Sequence, residues 1–140
     1  MLSATSTFWV ALWHAFRAGS YRKAAGVDYP ASYADSASIS AASAETKQKM
    51  IQFNCAQRAH ANFLESQPSA IAAILLAGLR YPVAASAVGL CWSIFRIVYA
   101  VGYTLPNKPK GSGRYYGILH APCQLALFVM AGLSGYKMLA

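Results

Sequence analysis

The chain has 140 residues, 56% of them hydrophobic and only 11% charged, with a mean hydropathy of +0.33. Soluble domains carry about 25% charged residues, so the composition excludes an ordinary water-soluble fold and the length allows one domain, residues 1–140. Twelve Lys and Arg against four Asp and Glu give a net charge of +8. With so much apolar surface, that sign fits an anionic membrane leaflet and excludes nucleic acid as the partner.

In chain order, residues 2–19 form the first apolar run, ending at Arg17, Arg22 and Lys23. It lacks the basic start of a secretory signal, and its charges follow the apolar part. A transmembrane helix, on the short side, is the expectation. Residues 24–45 are rich in Ser, Ala and other small residues and contain Pro30, which predicts a mobile loop. A second helix is predicted over 46–79, polar in its first half and apolar in its second, with a bend at Pro68. Pro82 suits the first position of a third helix, 83–104, whose one charge is Arg96. A basic turn with two prolines and two glycines leads to a fourth helix, 114–139, with a kink at Pro122. Short connections make sequential helices antiparallel, so the predicted fold is an all-α, antiparallel four-transmembrane-helix bundle. Lys and Arg concentrate on the first and third connections, which places those in the cytosol and both termini on the far side.

The second helix carries Arg58, Asn62 and Glu65 at i, i+4 and i+7, on one face. The third carries Arg96, Tyr99 and Tyr103 at i, i+3 and i+7, again on one face. An ionisable group inside a membrane segment costs about 2.5–3.5 kcal/mol on insertion scales, so it faces the interior and pairs. Arg58, Arg96, Lys110 and Arg114 all approach this region, where Glu65 is the only carboxylate. The surplus positive charge calls for an anion. A small peptide with two carboxylates and one amine meets the demand: the carboxylates go to Arg, the ammonium to Glu65, and amides to Asn62 and Gln57. Glutathione is such a molecule, and its thiol needs a nearby cation to become a thiolate. No metal is expected, because His14, His60 and His120 lie far apart without ligand spacing and the three cysteines form no zinc pattern.

The stretch "FNCAQRAHANFLE" (53–65) resembles the signature of the MAPEG family, the membrane-associated proteins in eicosanoid and glutathione metabolism. It is most similar to their type-3 microsomal glutathione S-transferases. The segments "RKAAGVDYP" and "FRIVYAVGY" and the basic turn that follows extend the resemblance over about residues 20–135. The resemblance implies four transmembrane helices per chain, a homotrimer, and glutathione bound between neighbouring chains near the cytosolic face. It implies that Arg58, Asn62 and Glu65 hold glutathione with Gln57 and His60 close by, and that Tyr99 and Tyr103 line the site with support from Arg96. Arg22 falls where a family arginine contacts glutathione, followed by Lys23. A family arginine facing the glutathione sulfur corresponds to Lys110 by ungapped counting, or to Arg114 by residue type. The chain departs from the family in a shorter first helix and a longer first loop. The implied activity is a glutathione transferase, with glutathione peroxidase or leukotriene C synthase-like chemistry on lipophilic electrophiles or lipid hydroperoxides. It belongs to detoxification or lipid metabolism, in the endoplasmic reticulum or the outer mitochondrial membrane. The alternative is a non-catalytic, lipid-binding or scaffold member of the same fold.

Overall fold

The computed structural model describes residues 2–139, with the side chains of 109, 110 and 139 outside the description. Among the described residues there are helices and no strands: α1 (Leu2–Ala25), α2 (Ser36–Ala41), α3 (Ala44–Gly78), α4 (Pro82–Tyr103), a 3-10 segment (Pro109–Gly117) and α5 (His120–Leu139). The four long helices pack on one another, and α3 touches α1, α4 and α5.

Helix α1 runs 24 residues, further than the predicted 2–19, because "SYRKAA" contains no breaker. It stops at Gly26, whose φ of +64° turns the chain left-handed. The Gly26 and Val27 amides then donate back to the carbonyls of Lys23 and Arg22. The predicted mobile loop over 24–45 also needs correction, since it contains α2. Asp35 caps that helix: one carboxylate oxygen accepts the Ser38 N–H at 2.9 Å, the other the Ser38 hydroxyl at 2.6 Å. The chain before α2 is tied down from two sides. The Asn54 side-chain amide pairs with the Ala34 backbone in both directions, at 2.8 and 2.9 Å. Arg22 donates to the Ala31 carbonyl at 2.6 Å.

Helix α3 has 35 residues, about 52 Å at 1.5 Å per residue. Ser43 caps it, Glu45 in its first turn pairs with Lys49 at 2.6 Å, and one continuous helix runs through Pro68. Helix α4 starts with Pro82 in its first turn, as predicted. The fourth helix, predicted from 114, begins at His120, and residues 114–117 belong to the 3-10 segment, because Gly111 and Gly113 weaken any α-helical nucleus there. The chain changes direction by 44° between Gly111–Gly117 and the helix from His120. Pro122 therefore lies in the first turn of α5, where no intrahelical N–H is needed, rather than at a kink.

The 3-10 segment lies directly on α4. A Cβ on Gly102 would overlap the Gly113 carbonyl, and a Cβ on Gly117 would overlap the α4 backbone at Phe95 and Tyr99. Only glycines permit this approach, and it brings Arg114 to the end of α4.

The surface is apolar where the interior is partly polar. Helix α1 buries Ser3, Thr7 and His14, yet exposes Phe8, Leu12, Phe16 and Trp9, the last at 72%. That inversion suits a hydrocarbon surround, not water. Of the described helices, only α4 is long and apolar enough to cross a membrane alone; the bent pair of 3-10 segment and α5 qualifies when taken as one span.

Hydrogen bonds from Ser38, the hydroxyl first and then the backbone, hold the Asp35 carboxyl below the usual carboxylate range. The cap is thus at full strength above the ordinary Asp value of about 3.9 and is lost as pH falls through the lower folded value. Asp35→Ala is expected to accelerate amide exchange at Ser38 and Ile39 at pH 6. At pH 2 wild type and variant should exchange alike. An equal difference at both pH values would show that the carboxylate does not cap α2.

Candidate functional site

The first half of α3 has two faces. Phe53, Ala56, Ala59 and Phe63 are buried, while Arg58 and Glu65 lie outward, with side chains 48% and 57% exposed. Seven residues apart, they sit two helical turns from each other on one stripe, and Arg58 Nη1 donates to Glu65 Oε1 at 2.8 Å. An exposed pair of this kind is worth about 0–1 kcal/mol. It is easily opened by a competitor that offers both charges.

Asn62 sits between them and reaches inward to α4. Its Oδ1 accepts from Arg96 Nη1 at 2.9 Å. Arginine has donors only, so the atom facing it must be the amide oxygen, and the Asn62 NH2 group remains as a donor for a ligand. Arg96 itself is 1% exposed. Its guanidinium carbon stands 5.2, 5.5 and 5.7 Å from the ring centres of Tyr99, Phe63 and Trp92. The ring faces attract the cation, but Nε and Nη2 have no hydrogen-bond partner among the described residues.

Tyr99 and Tyr103 meet edge to face at 5.6 Å, and His120 packs edge-on against Tyr99 at 5.2 Å. Arg114 lies beyond them, its guanidinium 5.3 Å from the Tyr103 ring. It donates to the Gly111 carbonyl at 3.3 Å and to the Tyr115 hydroxyl at 3.0 Å. A cavity of about 150 Å³ opens between α3 and the 3-10 segment, walled by Gln52, Cys55, Tyr103, Lys108 and Gly111. The structure therefore gathers Arg58, Asn62, Glu65, Arg96, Tyr99, Tyr103 and Arg114 at one end of the helices.

The other sequence candidates stand apart. Arg22 is committed to the first connection, donating to Ala31 and Val27 and stacked between Tyr29 and Phe53. Lys23 is exposed and Gln57 half-buried. The Lys110 side chain lies outside the described residues.

Two residues absent from the sequence candidates complete the site's support. His14, 2% exposed, stacks on Phe63 at 4.8 Å and lies parallel to His60 at 6.0 Å, closing the wall behind Arg96. Arg17 donates to Thr104 Oγ1 at 2.5 Å, tying α1 to the end of α4. Both are polar residues in an apolar run, which in a membrane helix is itself a functional signal. Metal-ligand spacing alone gives no reason to single out His14.

The family model described as the MAPEG family matches residues 1–133.

Among the described residues, Asn62 is the one hydrogen-bond partner of the buried Arg96. Removing it with Asn62→Leu is expected to cost about 1.5–3 kcal/mol, the range for a hydrogen bond to a charged group. Asn62→Asp should cost nothing, since it supplies a counter-charge in the same place. Thermal unfolding in detergent measures both. Equal melting temperatures for Asn62→Leu and wild type would mean that Arg96 is held by other groups.

Proposed function

The chain belongs to the MAPEG family, and on that premise we propose that it is a membrane-bound glutathione transferase with glutathione-dependent peroxidase activity, of the type-3 microsomal kind. Family membership supports a glutathione-related or lipid-metabolic role, and with the apolar α4 it points to a membrane protein. The observation that carries the finer reading is the outward Arg58–Glu65 pair flanked by Asn62, the two tyrosines and Arg114.

The γ-glutamyl end of glutathione carries a carboxylate and an ammonium on one carbon. It can replace the Arg58–Glu65 pair with two pairs of its own, carboxylate to Arg58 and ammonium to Glu65. The Asn62 NH2 donates to a carboxylate or carbonyl oxygen. Tyr99 and Tyr103 line the cysteinyl part, with Gln57 and Lys23 as outer contacts, and Arg22 reaches the ligand on release from its bonds to Ala31 and Val27. Arg114, rather than Lys110, faces the sulfur: it keeps its charge and its fork of donors at any working pH. Its guanidinium stabilises the thiolate as the thiol proton leaves to solvent, lowering the thiol below its ordinary value of about 8.5.

The thiolate then forms a carbon–sulfur bond to a lipophilic electrophile as the leaving group departs. With a lipid hydroperoxide the sulfur takes the terminal oxygen, the O–O bond breaks, and the alkoxide gains a proton to give the alcohol. The resulting sulfenic acid condenses with a second glutathione to the disulfide and water. Lipid supplies the second substrate sideways.

A charged stripe open on one copy is untenable against hydrocarbon. This supports a homotrimer in which all four long helices span and a neighbouring chain covers each stripe. The cationic end would face the cytosol, in the endoplasmic reticulum.

Titration of the detergent-solubilised protein with glutathione, followed by thiolate absorbance near ~240 nm at pH 7, well below the free thiol's value, tests the reading. Wild type is expected to give a saturable signal. Arg58→Ala should lose it through lost binding. Arg114→Ala should bind glutathione without ionising it and lose at least about 100-fold in rate, the usual scale for one stabilising donor. Loss of ionisation in Lys110→Ala instead would reassign that role. Binding without thiolate in the wild type would favour the non-catalytic alternative.

A further inference from the structure

The opposite end of the helices has its own chemistry. The α3–α4 turn, the first turn of α1 and the last turns of α5 meet there. Two cavities share Leu79 as a wall. One, of about 550 Å³, is lined by Leu79, Arg80, Ser134, Lys137 and Met138. The other, of about 270 Å³, runs along Ile74, Leu75, Pro82 and Ala85 to Ser3.

The first cavity holds two cationic side chains, Arg80 and Lys137. All four acidic side chains of the chain, Asp28, Asp35, Glu45 and Glu65, belong to the first connection or to the first two-thirds of α3. Arg80 and Lys137 thus face one cavity with no Asp or Glu to answer them. Each cavity wall also includes a buried serine whose hydroxyl has no partner among the described residues: Ser134, 1% exposed, in the first, and Ser3, 0% exposed, in the second. A buried polar group left unpaired costs about 1–3 kcal/mol. Around the mouth, Leu79, Val83 and Met138 are exposed at 66%, 82% and 71%, so the rim is apolar.

Two cations over one cavity, an unpartnered serine hydroxyl in its wall, an adjoining apolar cavity and an apolar rim form one pattern. We propose that this end binds an anionic phospholipid. Its phosphate lies between Arg80 and Lys137, its ester region meets the Ser134 hydroxyl, and one acyl chain follows Leu79 into the cavity along Leu75. The charges answer the phosphate and the apolar walls answer the chain. An inorganic phosphate would use only the first and an acidic protein segment would leave the second empty. The site stands apart from the Arg58 stripe and requires no glutathione chemistry, so it holds or fails independently of the proposed catalysis.

The full chain, purified in a neutral detergent, is titrated with phosphatidylglycerol, phosphatidylcholine or inorganic phosphate. Native mass spectrometry counts retained lipid and thermal unfolding reports stabilisation, since a ligand that binds only the folded state raises its melting temperature. Phosphatidylglycerol is expected to be retained and to raise the melting temperature by several degrees, with phosphatidylcholine and phosphate far behind. Arg80→Gln with Lys137→Gln should weaken retention roughly ten-fold or more, at about 1 kcal/mol per basic residue near an anionic lipid. Lys47→Gln with Lys49→Gln, an equal charge loss at the other end, should leave it unchanged. Ser134→Ala should weaken it a few-fold without lowering the melting temperature of the lipid-free protein. Equal retention of phosphatidylcholine, equal stabilisation by inorganic phosphate, or equal loss in the Lys47/Lys49 variant would each overturn the proposal.

Discussion

A cation buried among aromatic rings organises this molecule. Arg96 sits in α4 at 1% exposure with one neutral hydrogen-bond partner, Asn62. Stranding a charge in a low-dielectric interior is expensive, so the structure surrounds it with compensations. Three ring faces, from Tyr99, Phe63 and Trp92, stand within 6 Å of it, and His14 backs the wall. The same bond fixes the Asn62 amide and so decides that α3 presents a donor to its outer stripe. The interior charge therefore determines the polarity of an exterior group, one helix away.

The surface follows a second constraint. In α1 the large apolar residues Phe8, Trp9, Leu12 and Phe16 are exposed, while Ser3, Thr7 and His14 are buried. Several polar side chains then pair between helices. Gln67 donates to the Thr7 carbonyl at 3.2 Å, Ser6 pairs with Ser93 at 3.0 Å, and the Trp92 indole donates to Gln124, which donates on to Ser69. In lipid, apolar burial drives helix association weakly, and contacts of this kind with small residues carry more of it. The interior alanines, Ala56, Ala59, Ala70, Ala73 and Ala77, serve the same end by letting α3 approach its neighbours closely.

What could be read from the sequence was what depends on helical periodicity. The i, i+4, i+7 spacing of Arg58, Asn62 and Glu65 places them on one stripe whatever surrounds the helix, and so does the spacing of Arg96, Tyr99 and Tyr103. What escaped depends on contacts distant in sequence. Helix α2 was hidden because its serines look like linker, yet Asp35 caps it and Asn54, from the next helix, clamps the chain before it. The last part of the 3-10 segment, 114–117, reads as the start of the fourth helix because its seat against α4 involves residues in another element. Arg22 looked like a ligand-binding group, and nothing local shows that it reaches nine residues ahead to Ala31. The count of spans was inferred from apolar runs, and composition alone supports α4 and the bent α5 pair more firmly than α1 or α3, whose polar residues face inward.

The glycines join these threads. Arg114 belongs to a nine-residue 3-10 segment. That segment is seated on α4 by backbone lying against backbone at Gly102–Gly113 and at Gly117. Backbone contact is stiffer than side-chain contact, because it leaves no rotamer to relax. A cation meant to stabilise a developing charge must be in place before the charge appears. A glycine-seated segment meets that need better than a loop held by side chains. The cost is intolerance: a single methyl at Gly102 or Gly113 collides with main chain, which cannot turn aside.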